Sequence, residues 1–125
     1  MTNRILIVED EEDILELLFA IFGDRLGDYR ILCTRDGEEA LRIVRTDKPD
    51  IVLLDIQLPK LDGFKVCRSI KSDPAMSHTR VLMLSGMAQN SDWQKAREAG
   101  ADGYITKPFS SIELVEKVER LLRSN

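Results

Sequence analysis

Along this chain, aliphatic runs of four or five positions alternate with longer stretches in which apolar residues recur every three or four. The runs are "RILIV" (4–8), "YRILC" (29–33), "IVLLD" (51–55), "RVLML" (80–84) and "GYIT" (103–106). Short runs rich in Ile, Val and Leu, without strict polar alternation, predict strands covered on both faces, and the amphipathic stretches between them predict helices. In the first of these, Ile14, Leu17, Leu18 and Ile21 form one stripe at helical spacing. The last opens "SSIE", where Ser110 and Glu113 have the spacing of a capping box. Successive βα units predict an α/β fold: a doubly wound, five-stranded parallel sheet with five helices on its two faces. No linker or low-complexity stretch interrupts the pattern, so residues 1–125 are expected to form a single domain.

Composition narrows the picture. With 125 residues, 43% hydrophobic and 32% charged, the chain has the size and balance of one domain around one core. A net charge of -4 supplies no basic stripe to neutralise phosphates, so direct nucleic-acid binding is not expected. The greasiest stretch, "ILELLFAIF", carries Glu16 and is far shorter than the ~20 apolar residues that a bilayer requires, so no membrane role is expected. "MTNR" running straight into a strand is no signal peptide, and the expected location is cytoplasmic. Cys33 and Cys67 lie far apart within apolar patterns and are read as reduced thiols acting as small hydrophobes. His78 stands alone, which excludes a zinc-type cluster built around it.

The chemistry begins where "RILIV" runs into "EDEED" (9–13). In a doubly wound sheet the ligand crevice lies beyond the carboxyl ends of the strands, and in the flavodoxin-like order 2-1-3-4-5 strands 1 and 3 are neighbours. Glu9 and Asp10, at the end of strand 1, are then brought beside Asp55, at the end of strand 3. Three carboxylates in one small crevice repel each other, and the arrangement makes sense if a cation shares it. Hard oxygen ligands in a partly wet crevice suit Mg²⁺. Glu11, Glu12 and Asp13 are accounted for as a solvated helix start favoured by the helix dipole. A phosphate or flavin at this position would need a Gly/Ser/Thr-rich loop in place of these acids. At the ends of strands 4 and 5, "LSG" and "ITKPF" bring Ser85 and Lys107 to the same rim. A hydroxyl and an ammonium facing three acids describe a carboxylate nucleophile, Asp55, activated by metal, with Lys107 and Ser85 placed to hold phosphoryl oxygens.

"ILIVEDEE", "DIVLLDIQLPKLDGF", "VLMLSG" and "EAGADGYITKPFS", in this order and at this spacing, resemble the receiver domain of two-component response regulators, chemotaxis receivers among them, over essentially the whole chain. The resemblance implies that Asp55 is the phospho-acceptor and that Glu9 and Asp10 are the acidic pair. It implies Mg²⁺ held by Asp10, Asp55 and the backbone carbonyl of Gln57, with Glu9 acting through water. Ser85 is then the switch hydroxyl, Lys107 the phosphate-binding lysine, Tyr104 the aromatic that changes rotamer, and the Lys107–Pro108 bond is cis. The acidic pair here is Glu-Asp where Asp-Asp is more usual. Gln57 and Met87 occupy the positions that tune phosphate lifetime, and an apolar Met87 cannot orient an attacking water, which favours a long-lived mark.

The implied function is to accept a phosphoryl group from a histidine kinase or histidine phosphotransfer protein and to present a changed surface to a downstream target, with dimerisation on phosphorylation a further expectation. Such a chain is not an enzyme in the ordinary sense, since it catalyses only its own phosphorylation and dephosphorylation. Two alternatives stand beside this reading. One is a pseudo-receiver that binds partners without phosphorylation, against which the full set of Glu9, Asp10, Asp55, Ser85 and Lys107 argues. The other is a Mg-dependent aspartate-nucleophile phosphohydrolase, which needs a second acid where this chain has Gln57.

Overall fold

A computed structural model describes residues 3–23, 29–56, 62–86 and 90–123. Five strands, β1 (Asn3–Val8), β2 (Tyr29–Thr34), β3 (Ile51–Asp55), β4 (Arg80–Ser85) and β5 (Gly103–Thr106), alternate with α1 (Glu12–Gly23), α2 (Gly37–Asp47), α3 (Gly63–Ser72), α4 (Asn90–Glu98) and α5 (Ser111–Arg123). All strand pairs are parallel and the order is β2-β1-β3-β4-β5. This is the doubly wound arrangement that the alternating runs predict.

Side chains alternate across each strand, and the sheet divides its aliphatic residues between two layers. Leu6, Val8, Val52, Leu54, Val81 and Met83 pack with Ala40 and Val44 of α2, Val66, Cys67 and Ile70 of α3, and Ala96 of α4. On the opposite face Ile5, Ile7, Ile51, Leu53, Leu82 and Leu84 meet Leu18 and Phe22 of α1 and Leu114, Val115 and Val118 of α5. Burial of an aliphatic or aromatic side chain contributes ~1.5–3 kcal/mol, and the two layers bury the aliphatic residues of β1, β3 and β4 on both faces.

Two details differ from the sequence expectation. The buried stripe of α1 is centred on Leu18 and Phe22, with Ile14, Leu15 and Ile21 partly covered, while Leu17 is 42% exposed. At 100° per residue, a helix that seats Leu18 and Phe22 on the sheet turns Leu17 toward solvent. Cys33 lies on an edge strand and is exposed, whereas Cys67 is buried; both thiols are free. Cys67 therefore fits the reading as a small hydrophobe and Cys33 does not. The Cys67 Sγ donates to the Ala99 carbonyl at 3.5 Å, and burial, with the Asp102 charge adding to it, pushes the Cys67 thiol up to about 12 against the opposing pull of Lys71 and Arg68.

Helix starts are capped as the turn residues suggest. Asp36 accepts from the Glu38 N–H, Asp62 from the Phe64 N–H, and Ser110 Oγ from the Glu113 N–H at 3.0 Å. At the amino ends of β4 and β5, Lys71 Nζ donates to the carbonyls of Ser77 and Thr79 and to Asp102, whose carboxylate also receives the Val81 N–H. Among the described residues, no helix is long and apolar enough to cross a membrane.

Candidate functional site

Backbone pairing continues one step past the strands at the carboxyl edge, and this sets the site. The Glu9 N–H donates to the Thr34 carbonyl at 3.1 Å, Ile56 N–H to Leu84 at 3.0 Å, and Lys107 N–H to Ser85 at 2.6 Å. Because Val8 is level with Leu54, and Asp55 with Leu84, the next residues of β1 and β3 come out side by side. Ser85 pairs with Thr106, so Lys107 follows on the same rim. Glu9, Asp10, Asp55, Ser85 and Lys107 thus converge from four chain segments.

Gly63 controls how closely the next helix approaches this rim. A Cβ built there would collide with the Asp55 carbonyl oxygen and come within 2.7 Å of Ile56 Cα and 2.8 Å of the Ile56 oxygen. Glycine lets α3 begin directly against the backbone that carries Asp55, a contact closed by the Gly63 N–H to Ile56 carbonyl bond at 2.9 Å. The motif "DIVLLDIQLPKLDGF" contains this glycine, and its place just after the N-cap Asp62 is its signal in the sequence.

One carboxylate oxygen from each of Glu9, Asp10 and Asp55 lies within 4.8 Å of the others. Asp10 is exposed, while Asp55 and Ser85 are each 4% exposed and Glu9 is fully buried. This is a set of hard oxygen donors open to water on one side, and its chemistry fits a small divalent cation. Lys107 Nζ lies 2.9 Å from Glu9 Oε1 and 3.5 Å from Asp55 Oδ2. Burial alone disfavours the ammonium, but the hydrogen bond to Glu9 and the charges of Asp55, Glu9 and Glu11 outweigh it, so the lysine titrates above its ordinary value. The other Glu9 oxygen accepts the Glu11 N–H at 3.2 Å. The short Glu9–Lys107 bond had no signal in the sequence, because the two residues are far apart in the chain.

The Lys107–Pro108 peptide is cis. Tyr104 is half-buried on β5, its ring 5.4 Å from that of Trp93 at 62°, with the Arg97 guanidinium 5.9 Å from the Trp93 ring centre. Gln57 and Met87 lie outside the described residues.

A family model described as the response regulator receiver domain matches residues 5–119. The chain belongs to that family. Among relatives, the alkaline phosphatase synthesis transcriptional regulatory protein PhoP of Bacillus subtilis is 41% identical over 123 residues, which is 98% of this chain and 50% of that protein. The receiver domain thus spans about half the length of that curated relative. A solved structure from Chloroflexus aurantiacus, assigned as a response regulator, superposes with a TM-score of 0.93 at 31% identity, covering 99% of this chain and 100% of that one. The receiver domain of a Pseudomonas aeruginosa sensor histidine kinase superposes with a TM-score of 0.89 at 30% identity, covering 99% and 100%. That protein holds a magnesium ion in its active-site cleft. In the present receiver domain, the three-carboxylate cluster could hold a metal ion at the carboxyl edge of the sheet.

Proposed function

We propose that this receiver domain takes a phosphoryl group onto Asp55 from a histidine kinase or histidine phosphotransfer protein and then offers a changed surface to a downstream protein. The observation that carries the proposal is a nearly buried Asp55 carboxylate inside a three-acid cluster, with the Lys107 ammonium 3.5 Å away. An Asp55 oxygen forms its bond to phosphorus as the phosphorus–nitrogen bond of the donor breaks, and the electron pair leaves with the imidazole nitrogen. Asp10, Asp55 and the carbonyl of Gln57 would hold Mg²⁺, with Glu9 reaching it through water. When bound, the metal offsets the negative charge gathered between nucleophile and phosphoryl oxygens.

Lys107 and Ser85 hold the phosphoryl oxygens once they arrive, the lysine as a charge and the serine as a hydroxyl donor. Moving Ser85 toward the phosphoryl group opens space that Tyr104 takes up, and α4 and β5 carry the change outward. A change in self-association is one form this output can take. Hydrolysis by water returns phosphate and the free carboxylate, so the chain acts only on its own modification. Its proposed place is the cytoplasm, where an ATP-fed phosphorelay operates. If the output is transcriptional, as the name of the B. subtilis relative suggests, DNA contact would fall to a segment other than these 125 residues, whose net charge is -4.

Incubation with acetyl phosphate and Mg²⁺, followed by intact-mass measurement, tests the proposal. One added phosphate, absent in Asp55→Asn, is the expected result. An unmodified mass without phosphate release would indicate a phosphorylation-independent module, and steady release without a labelled species a phosphohydrolase.

A further inference from the structure

The first acid of the pair is tied to the edge of the sheet. Pairing of β1 with β3 ends at Val8 and Leu54, whereas the Glu9 N–H donates to the Thr34 carbonyl of β2 at 3.1 Å. β2 is an edge strand, and of its six residues only Thr34 is buried. A strand end this thinly covered frays unless polar contacts hold it. The Thr34 side chain supplies them. Its hydroxyl donates to Glu39 Oε1 at 2.6 Å and accepts the Asp36 N–H at 3.2 Å. Both partners belong to the start of α2, where Asp36 is the N-cap and Glu39 lies in the first turn. The bond to Glu39 joins a hydroxyl to a carboxylate and is short, as charge-assisted bonds are. The second Glu39 oxygen meets the Arg42 guanidinium at 3.3 Å, so the acceptor is itself held.

We propose that Thr34 is a positioning residue for the cation site: its hydroxyl, held by Glu39, fixes the end of β2, and its carbonyl thereby holds the backbone from which Glu9 and Asp10 reach Asp55. The inference rests on the receiver reading above. Mg²⁺ demands near-ideal octahedral geometry, so a displacement of a few tenths of an ångström in the acidic pair is felt at the metal. The three carboxylates repel each other and meet within 4.8 Å, so a backbone free to yield would let the pair drift apart. Thr34 opposes that drift from outside the cluster. It touches neither cation nor phosphoryl group, and it acts only through the Glu9 N–H that its carbonyl receives. Without the hydroxyl the Asp36 N–H loses its acceptor and Glu39 its donor, and the link between β2 and α2 opens beside the site.

Two readouts test the proposal, hydrogen exchange of the Glu9 amide in chelator and Mg²⁺ affinity by calorimetry. Thr34→Val keeps the branched shape and removes the hydroxyl. It is expected to speed Glu9 exchange roughly tenfold and to weaken Mg²⁺ binding roughly three- to tenfold. Thr34→Ser restores the hydroxyl and should stay within about twofold of the wild type in both. Glu39→Ala should act like Thr34→Val, and should add less than about twofold in the Thr34→Val background. Glu39→Gln keeps an acceptor oxygen while removing the charge, and should lose less than Glu39→Ala. A Thr34→Val protein that is less stable in urea but unchanged in Glu9 exchange and Mg²⁺ affinity would make Thr34 merely structural. Equal losses in Thr34→Ser, or in Glu39→Gln and Glu39→Ala, would show that the hydroxyl bond is not the cause; each of these results overturns the proposal. A measurement on the unaltered protein covers the case in which a variant fails to fold. The Thr34 hydroxyl proton should exchange slowly enough to be resolved by NMR, and a proton averaged with water would overturn the assignment. Labelling by acetyl phosphate separates the two levels. A wild type that labels, beside variants that leave both readouts unchanged, removes only the role of Thr34. A wild type that neither labels nor binds Mg²⁺ removes the receiver reading, and the proposal with it.

Discussion

At the scale of single residues, charge and space around Asp55 decide the outcome. Glu9, Asp10 and Asp55 bring three negative charges within 4.8 Å, and Lys107 supplies one positive charge against them. Asp55→Asn should therefore raise stability in the absence of metal by about 1 kcal/mol, measured by urea denaturation in a chelator, and Mg²⁺ should raise the melting temperature of the wild type more than that of the variant. A less stable variant with an undiminished Mg²⁺ response would show that the carboxylates do not share one site. Gly63 is a steric case. Two of the atoms that an added methyl would meet belong to the backbone of Ile56 and a third is the Asp55 carbonyl, so nothing flexible can yield. Gly63→Ala should cost ~3 kcal/mol and slow labelling of Asp55 by acetyl phosphate; a variant with wild-type stability and rate would show that α3 can retreat without moving the site. Cys67 gives a pH-dependent test. Its folded value near 12 lies above its ordinary 9.0, so the folded state holds the proton more tightly. Stability is full below about pH 9 and falls as the unfolded thiol ionises between 9.0 and 12. Denaturation midpoints over that window should fall more steeply for the wild type than for Cys67→Ala, and parallel curves would contradict the assignment.

Among the elements, α1 has the widest apolar arc, and the structure divides it in two. Leu18 and Phe22 are buried and Leu15 packs against the same layer, but Leu17 and Phe19 are 42% and 39% exposed. A docking patch for a phosphodonor protein is thus placed on Leu17 and Phe19, the exposed large hydrophobic residues of this helix. Changing both to Ser should alter stability by less than about 1 kcal/mol, while Leu18→Ala should cost ~2–5 kcal/mol. Phosphotransfer from a protein donor should slow in the double variant, with acetyl phosphate labelling unchanged. Equal loss with both donors would show that these side chains serve the fold and not recognition. Trp93, Arg97 and Tyr104 join α4 to β5 through ring contacts, so any rotation of Tyr104 must disturb the indole.

For the whole molecule, the proposed phosphorylation at the rim would have to reach that aromatic group. Driving a two-state equilibrium from 1:99 to 99:1 takes ~5.5 kcal/mol of differential binding. In the proposed phosphorylated state, two charge-assisted contacts from Ser85 and Lys107 would supply ~1.5–3 kcal/mol each, so both would be needed. Beryllofluoride with Mg²⁺ should shift Trp93 fluorescence in the wild type. Ser85→Ala should still accept phosphate on Asp55 but lose most of that shift; a full shift without the hydroxyl would uncouple Ser85 from the output face.

Local pattern determined much of this protein. Aliphatic runs marked the described strands, most plainly β1, β3 and β4, where successive positions are buried and leave no polar option, and the acids, Ser85 and Lys107 were legible because they stand where those runs stop. Register was not legible, since parallel neighbours are joined only through intervening helices, and pairing Val8 with Leu54 is a tertiary event. The tertiary structure alone therefore decided that Lys107 lies nearer Glu9 than Asp55, that Gly63 abuts the backbone of Asp55 and Ile56, and that α1 seats Leu18 while turning Leu17 outward. Each depends on differences of an ångström or of one helical step, which are set by how the two layers close on the sheet.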